Sequence, residues 1–120
     1  RINPVSAAQG GAMRMGGKAS PFGFDEEQID EVLRALASAV HLDLCGVHLF
    51  AGTQILDANT LLAQWRHGID VAARIARAAQ RPLRSIDLGG GLGIPYYAGD
   101  VPLDLASIRN GTGALAAQKM

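Results

Sequence analysis

Short apolar segments alternate with longer amphipathic segments along this chain, and this alternation constrains the fold more than any other feature. Residues 44–51 are almost continuously apolar, which is typical of a strand buried on both faces in a parallel sheet. Apolar residues at helical spacing on either side of that segment predict helices. The predicted strands are 1–4, 44–51 and 84–88, and the predicted helices are 25–40, 59–80 and 104 onward.

The start of the first helix carries a clear sequence signal. Asp25 is a good N-cap, and Gln28 lies three residues later, as in a capping box. Phe24 and Ile29 occupy the positions of a hydrophobic staple. In the third helix, Gly111 and Gly113 are expected to weaken the helical conformation.

The order of strands and helices predicts an α/β fold with a parallel sheet and helices outside it. Two topologies remain open at this point, a doubly wound sheet and a (β/α)8 barrel. Three βα units cannot close a barrel, which normally needs about 250 residues. The 120 residues therefore fit a barrel only as an internal piece of it.

Composition excludes several classes of function. Eleven basic and eleven acidic residues give no net charge, which argues against nucleic acid or an anionic membrane surface as the main partner. Cys45 is the only cysteine, so an internal disulfide or a cysteine-rich zinc site is excluded, and we expect no metal. No apolar run approaches the roughly 20 residues that span a bilayer, and no signal peptide is expected.

Loops rich in glycine and small polar residues follow each predicted strand, at 4–23, 51–57 and 89–99. Ligands bind at this edge of the sheet in either topology. Gly89, Gly90 and Gly91 can present a row of backbone N–H groups, which is a typical phosphate site. Ile94 occupies the sixth position of a dinucleotide fingerprint and Pro95 follows, so that motif is excluded. An ordinary tight turn is an equally good reading of the glycines.

His48 and Phe50 are predicted to point to the same side of the second strand. Phe50 offers a flat face to an aromatic ligand, and Thr53, just beyond the strand, offers a hydroxyl to an anion. The alternative is a core phenylalanine and a buried, hydrogen-bonded histidine.

Four motifs occur together in one order: Arg-Ile-Asn-Pro at 1–4, Gly-Gly-Lys-Ala-Ser-Pro-Phe-Gly at 16–23, Gly-Val-His-Leu-Phe-Ala-Gly-Thr-Gln at 46–54, and Asp-Leu-Gly-Gly-Gly-Leu-Gly-Ile-Pro-Tyr at 87–96. Over about residues 1–105 the chain resembles the fold-type III pyridoxal-phosphate decarboxylases, the family of ornithine, diaminopimelate and arginine decarboxylases. The resemblance implies a (β/α)8 barrel followed by a β domain. Residues 1–120 would then be an internal fragment of the barrel, about three βα units long, without the C-terminal β domain.

The resemblance also implies pyridoxal 5'-phosphate as cofactor and decarboxylation of an amino acid as function. The parent protein is expected to be a cytoplasmic homodimer, and its substrate could be tethered to a carrier protein. The lysine that forms an aldimine with the cofactor is expected upstream of Arg1, and the acid that pairs with the pyridine nitrogen beyond Met120. No catalytic residue is therefore expected within the chain, which alone should be inactive.

Residue roles follow from the same resemblance. Glycine N–H groups would hold the cofactor phosphate, the hydroxyl of Thr53 would replace that of a serine, and Phe50 would replace a histidine that stacks on the pyridine ring. Arg1 would support the pocket, and Pro21 replaces a common lysine. The expected cofactor-binding residues are Arg1, His48, Phe50, Thr53, Gly89, Gly90 and Gly91.

Three other readings remain. One is a non-catalytic pyridoxal-phosphate-binding or regulatory barrel of the same fold. A second is a racemase of the related barrel family, although racemases generally lack the glycine stretch at 89–95. The third is a flavodoxin-like domain that binds another phosphorylated ligand.

Overall fold

A computed structural model describes residues 1–5, 20–50 and 52–119. Its elements alternate in the predicted order. The strands are β1 (Ile2–Asn3), β2 (Phe24–Asp25), β3 (Gly46–His48) and β4 (Ser85–Asp87), and the helices are α1 (Ile29–Ser38), α2 (Ala58–Ala78) and α3 (Leu105–Lys119). The short strand β2 is the one element that the sequence pattern did not predict.

All strand pairs in the described residues are parallel, as predicted. β1 pairs with β2, and β3 pairs with β4 with Val47 opposite Ile86. A single bridge between Ile2 and Leu49 places the two pairs side by side. The carboxyl ends of β3 and β4 therefore lie next to each other, and both point to the edge where ligands bind in parallel α/β folds.

The main hydrophobic core lies between the strands and the first two helices. Ile2, Val47 and Leu49 are buried there. The helices contribute Ile29, Val71, Ala72 and Ile75 to the same cluster. The prediction that the second strand is buried on both faces was too strong, because Gly46 and His48 are only half-buried.

The first helix begins as predicted but ends earlier. The side-chain Oε1 of Gln28 accepts a hydrogen bond from the Asp25 N–H at 3.1 Å, as a capping box requires. A short 3-10 turn over Glu26–Gln28 precedes α1. Phe24 remains 48% exposed although Ile29 is buried, because residue 24 forms a strand pair with β1 instead of closing tightly over the helix.

Helices α2 and α3 pack against each other around a second apolar cluster. α3 is continuous through Gly111, which faces α2. A Cβ atom at Gly111 would overlap Leu62 Cδ1 of α2. The absence of a side chain at Gly111 therefore leaves room for Leu62, and the expected weakening of the helix stays a prediction.

Carboxylates cap both of these helices. Asp57 Oδ2 accepts a hydrogen bond from the Thr60 N–H at 2.9 Å, and Asp104 Oδ1 accepts one from the Ser107 N–H at 3.1 Å. Hydrogen bonds from the Thr60 hydroxyl, and then from its N–H, lower the pKa of Asp57. The Ser107 hydroxyl and N–H act in the same way on the pKa of Asp104. In the described residues, no helix is both long and apolar enough to cross a bilayer.

Candidate functional site

The strand face that points away from the helices carries the candidate site. Side chains alternate across a strand, and Val47 and Leu49 face the helical layer. His48 and Phe50 therefore project from the opposite face, as predicted. The register places Asp87 of β4 beside His48. A polar row thus crosses this face near the carboxyl ends of the strands.

The guanidinium of Arg1 lies between two aromatic rings. Its Cζ atom is 5.2 Å from the ring centre of Phe50 and 5.5 Å from that of Phe22, within the range of cation–π contacts. Arg1 Nε also donates a hydrogen bond to Asn3 Oδ1 at 3.1 Å. The Asn3 Nδ2 group donates in turn to the Phe22 carbonyl at 2.9 Å. These contacts fix the guanidinium against Phe50, whose residue remains 37% exposed.

The chain leaves β4 through a turn that is fixed first at Gly89. The Gly89 N–H donates a hydrogen bond to Asp87 Oδ1 at 2.8 Å. Its φ angle is +70°, and a Cβ atom there would lie 2.6 Å from the Leu49 carbonyl oxygen. Only glycine fits both the backbone conformation and the space.

The same turn is fixed again at Gly91. The Gly91 carbonyl accepts a hydrogen bond from the Ile55 N–H at 2.8 Å, and the Gly93 N–H donates to the Ile55 carbonyl at 2.8 Å. Gly91 has a φ angle of +85°, and a Cβ atom there would lie 2.7 Å from the Gly52 carbonyl oxygen. Residues 91–93 therefore lie directly against residues 52–55.

Gly90 forms the apex between these two fixed points. Apart from the neighbouring residues 89 and 91, no atom of the described residues would lie within 4 Å of a Cβ atom at Gly90. Within the part of the chain that the structure describes, the N–H groups of Gly90 and Gly91 donate no hydrogen bond. Backbone donors without partners, next to open space at the end of a strand, form a suitable site for an anion.

The predicted site residues lie near one another at this edge of the sheet. Thr53 is exposed and belongs to the segment that pairs with the glycine turn. Phe50 lies at the end of β3 beside Arg1, and His48 lies two residues earlier on the same face. No described group of three or more His, Cys, Asp or Glu side chains could hold a metal ion. The roles of these residues toward a cofactor stay predictions.

Three contacts of this site were missed from the sequence. They are the carboxylate of Asp87 on the glycine turn, the ring of Phe22 on Arg1, and a hydrogen bond from the Gln54 side chain to the Ile94 carbonyl. The first had a recognisable signal, because an aspartate two residues before a glycine commonly accepts from that N–H. The other two depend on tertiary contacts that no local pattern reveals.

Glu26 anchors the chain where the predicted long loop begins. Its Oε2 atom accepts a hydrogen bond from the Val5 N–H at 2.8 Å and lies 2.8 Å from His67 Nε2 of α2. This carboxylate therefore connects the end of the first strand to α2. Most of the loop predicted over 5–23 lies outside the described residues.

Comparison with known proteins gives a direct result. The family model described as "Pyridoxal-dependent decarboxylase, pyridoxal binding domain" matches residues 1–118. This match confirms the pyridoxal cofactor that the sequence motifs indicated.

Curated relatives carry decarboxylase names. The chain is 32% identical over 108 residues to an L-glutamyl-[BtrI acyl-carrier protein] decarboxylase of Niallia circulans, covering 90% of this chain and 25% of the relative. It is 36% identical over 106 residues to a diaminopimelate decarboxylase of Methanothermobacter thermautotrophicus, covering 88% of this chain and 24% of the relative. The chain thus spans about a quarter of the length of these relatives.

Proposed function

Because the chain belongs to the pyridoxal-binding domain family of the pyridoxal-dependent decarboxylases, we propose that it forms part of the cofactor site of an amino-acid decarboxylase. The observation that carries this proposal is the open space at Gly90, at the same sheet edge as Phe50, with N–H groups at Gly90 and Gly91 that have no hydrogen-bond partner among the described residues. A phosphate and an aromatic ring on one ligand match these two features.

The glycine turn fits the phosphate of the cofactor. The N–H groups of Gly90 and Gly91 donate to its oxygens, while the N–H of Gly89 is already bonded to Asp87. The hydroxyl of exposed Thr53, on the adjacent segment, adds a further donor. A methyl group at Gly90 would occupy the space that the phosphate needs, so the proposed site requires glycine at this position.

Phe50 and Arg1 fit the ring of the cofactor. Arg1 covers one face of the Phe50 ring and holds the ring in place. The ring then offers apolar and π contact to the pyridine, as the histidine of the resembled family does. A phenylalanine neither titrates nor donates a hydrogen bond, so its contribution is stacking alone. His48 and Asp87 line the same sheet face beneath it.

The residues of this chain bind and orient, and the cofactor supplies the chemistry. When bound, pyridoxal phosphate takes up the electrons that remain as the substrate carboxylate leaves as carbon dioxide. Orientation by a fixed phosphate and a stacked ring keeps the reacting atoms aligned between turnovers. Groups that hold the cofactor covalently or exchange protons with the substrate are proposed to lie on other parts of the parent enzyme.

We extend the proposal to the architecture of that enzyme. The parallel order of β1, β3 and β4 and the helices between them support about three βα units of a (β/α)8 barrel, with a β domain elsewhere in the protein. In such a barrel, the row from Arg1 to Asp87 faces the interior. A homodimer in the cytoplasm is part of the same proposal.

The proposed substrate is a small α-amino acid, free or attached to a carrier protein. Support for the second form comes from the similarity to the relative named for a carrier-bound glutamyl group. A further relative, 27% identical over 96 residues, is a 2-[(L-alanin-3-ylcarbamoyl)methyl]-2-hydroxybutanedioate decarboxylase of Staphylococcus aureus. Substrates of this kind differ in their distal ends and share the α-amino acid group.

The test uses the full-length protein. We expect a visible absorption band after addition of pyridoxal phosphate, loss of that band on borohydride reduction, and a modified lysine outside residues 1–120. Carbon dioxide release is then measured with diaminopimelate, with ornithine and with a glutamyl carrier protein. A band without release from any of these would favour a non-catalytic pyridoxal-phosphate-binding protein. The absence of a band would contradict the proposal.

A further inference from the structure

Asp87 accepts hydrogen bonds through both its main chain and its side chain. It is the last residue of β4, whose residues are exposed. Its carbonyl oxygen accepts a hydrogen bond from the Leu49 N–H at 2.9 Å. Its Oδ1 atom accepts one from the Gly89 N–H at 2.8 Å. Asp87 is therefore hydrogen-bonded on one side to Leu49, the residue that follows β3, and on the other side to Gly89, the first glycine of the turn.

This arrangement holds the backbone on both sides of Gly90. With Gly89 fixed by Asp87, and Gly91 fixed by Ile55, only Gly90 lies between two anchored residues. Loss of the first anchor would leave the N–H of Gly89 without a partner and let the turn rotate. The N–H groups of Gly90 and Gly91 would then be held in place less firmly.

We infer that Asp87 is a positioning residue for the phosphate of the cofactor, an inference that rests on the proposed function. Its contribution is that of a hydrogen-bond acceptor and not that of a charge. A carboxylate near a phosphate repels it, so the negative charge opposes binding while the bond to Gly89 favours it. An acceptor without the charge should serve at least as well.

Two substitutions separate these contributions. Asp87→Asn keeps an oxygen that can accept from the Gly89 N–H and removes the charge. Asp87→Ala removes both. Affinities of the full-length protein for pyridoxal phosphate and for pyridoxal, which lacks the phosphate, are measured by fluorescence titration. The ratio of the two affinities isolates the contribution of the phosphate, and a general loss of structure would lower both affinities together.

We expect Asp87→Ala to lower the ratio roughly 3- to 10-fold, the effect of one hydrogen bond, with pyridoxal affinity nearly unchanged. Asp87→Asn should keep the wild-type ratio or raise it. The inference is overturned if Asp87→Ala leaves the ratio unchanged or lowers both affinities equally, or if Asp87→Asn loses as much as Asp87→Ala. A wild-type protein that binds both compounds equally would instead overturn the proposed phosphate site, and this inference with it.

Discussion

The polar groups at the two ends of β3 and β4 differ in whether they have hydrogen-bond partners. At the amino-terminal end, Asp43 accepts hydrogen bonds from Arg81, at 2.7 Å, and from Arg84, whose guanidinium also contacts the Cys45 Sγ atom. At the carboxyl-terminal end, the N–H groups of Gly90 and Gly91 have no partner among the described residues. Charged side chains at the amino-terminal end are paired with one another. Backbone donors at the carboxyl-terminal end have no partner among the described residues.

Under the proposed function, this difference separates a stabilising end from a binding end. Donors that are already paired have nothing to offer a ligand, whereas unpaired donors held in place cost no reorganisation when a ligand arrives. In parallel α/β folds, binding sites lie at the carboxyl ends of the strands. Substitutions at the two ends should therefore affect different measurements.

The largest effect is expected for Gly91→Ala at the binding end. An alanine there must adopt a φ angle of +85° and overlaps the Gly52 carbonyl. Backbone strain of this kind costs about 1–3 kcal/mol of unfolding free energy, and the displaced turn should lose pyridoxal phosphate binding as well. Chemical denaturation and cofactor titration measure the two losses.

Gly113→Ala is the matched control for that substitution. Gly113 lies in α3, and a Cβ atom there would have no contact within 4 Å from the described residues outside its own part of the helix. Because alanine favours a helix over glycine, the variant should be as stable as the wild type or gain up to about 1 kcal/mol. A similar loss of unfolding free energy in Gly91→Ala and Gly113→Ala would show that neither position tolerates an added methyl group. The expected difference between the two positions would then be absent.

Phe50→Ala should have an intermediate effect, confined to the cofactor. Loss of ring stacking worth about 0.5–1.5 kcal/mol lowers the affinity for pyridoxal phosphate roughly 2- to 10-fold. The half-exposed ring contributes little to the core, so the unfolding free energy should change less. Phe50→Leu, which keeps an apolar side chain, should resemble Phe50→Ala, and Phe50→His should restore the affinity. Full affinity in Phe50→Leu would contradict a stacking role.

The smallest effect is expected for Asp43→Asn at the stabilising end. Hydrogen bonds from Arg81 and Arg84 hold the pKa of Asp43 below its usual value of 3.8. Its contribution to stability is therefore complete above pH 3.8 and is lost as the pH falls through the lowered pKa of the folded state. Thermal unfolding of the variant should depend less on pH in this acidic range.

Cofactor affinity at neutral pH is the control for Asp43→Asn, and it should equal that of the wild type. A weaker affinity would mean that the two ends are coupled and would break the comparison. A wild-type and a variant protein with the same acid profile would show that the contacts of Asp43 contribute nothing to stability.

The sequence predicted the fold where the signal is local. The apolar run at 44–51, the cap at Asp25 and the apolar stripe of α2 gave elements within a few residues of those observed. Strand β2 was missed because two residues paired only through tertiary contact carry no periodicity. The contact between Gly111 and α2 was missed because helix propensity says nothing about a neighbouring helix.

The sequence indicated which residues form the candidate site, but it did not indicate how each of them is held in the structure. Glycines 89–91 formed a single group in the sequence, and the structure separates them. Gly89 and Gly91 are fixed by their neighbours, while Gly90 alone faces open space. That distinction depends on where Leu49 and Gly52 lie, which the local sequence does not specify. The contact of Phe50 with Arg1, 49 residues away, is equally invisible to local patterns.

Gly90→Ala in the full-length protein tests the division between the two ends most directly. The methyl group meets no atom of the described residues within 4 Å beyond the two neighbours of Gly90 in the chain, so the unfolding free energy should stay within about 0.5 kcal/mol of the wild type. It occupies the space proposed for the phosphate, so loss of one charge-assisted hydrogen bond should weaken pyridoxal phosphate binding on the order of tenfold or more. Pyridoxal binding should change little. Unchanged affinity for pyridoxal phosphate in a stable Gly90→Ala protein would contradict the account.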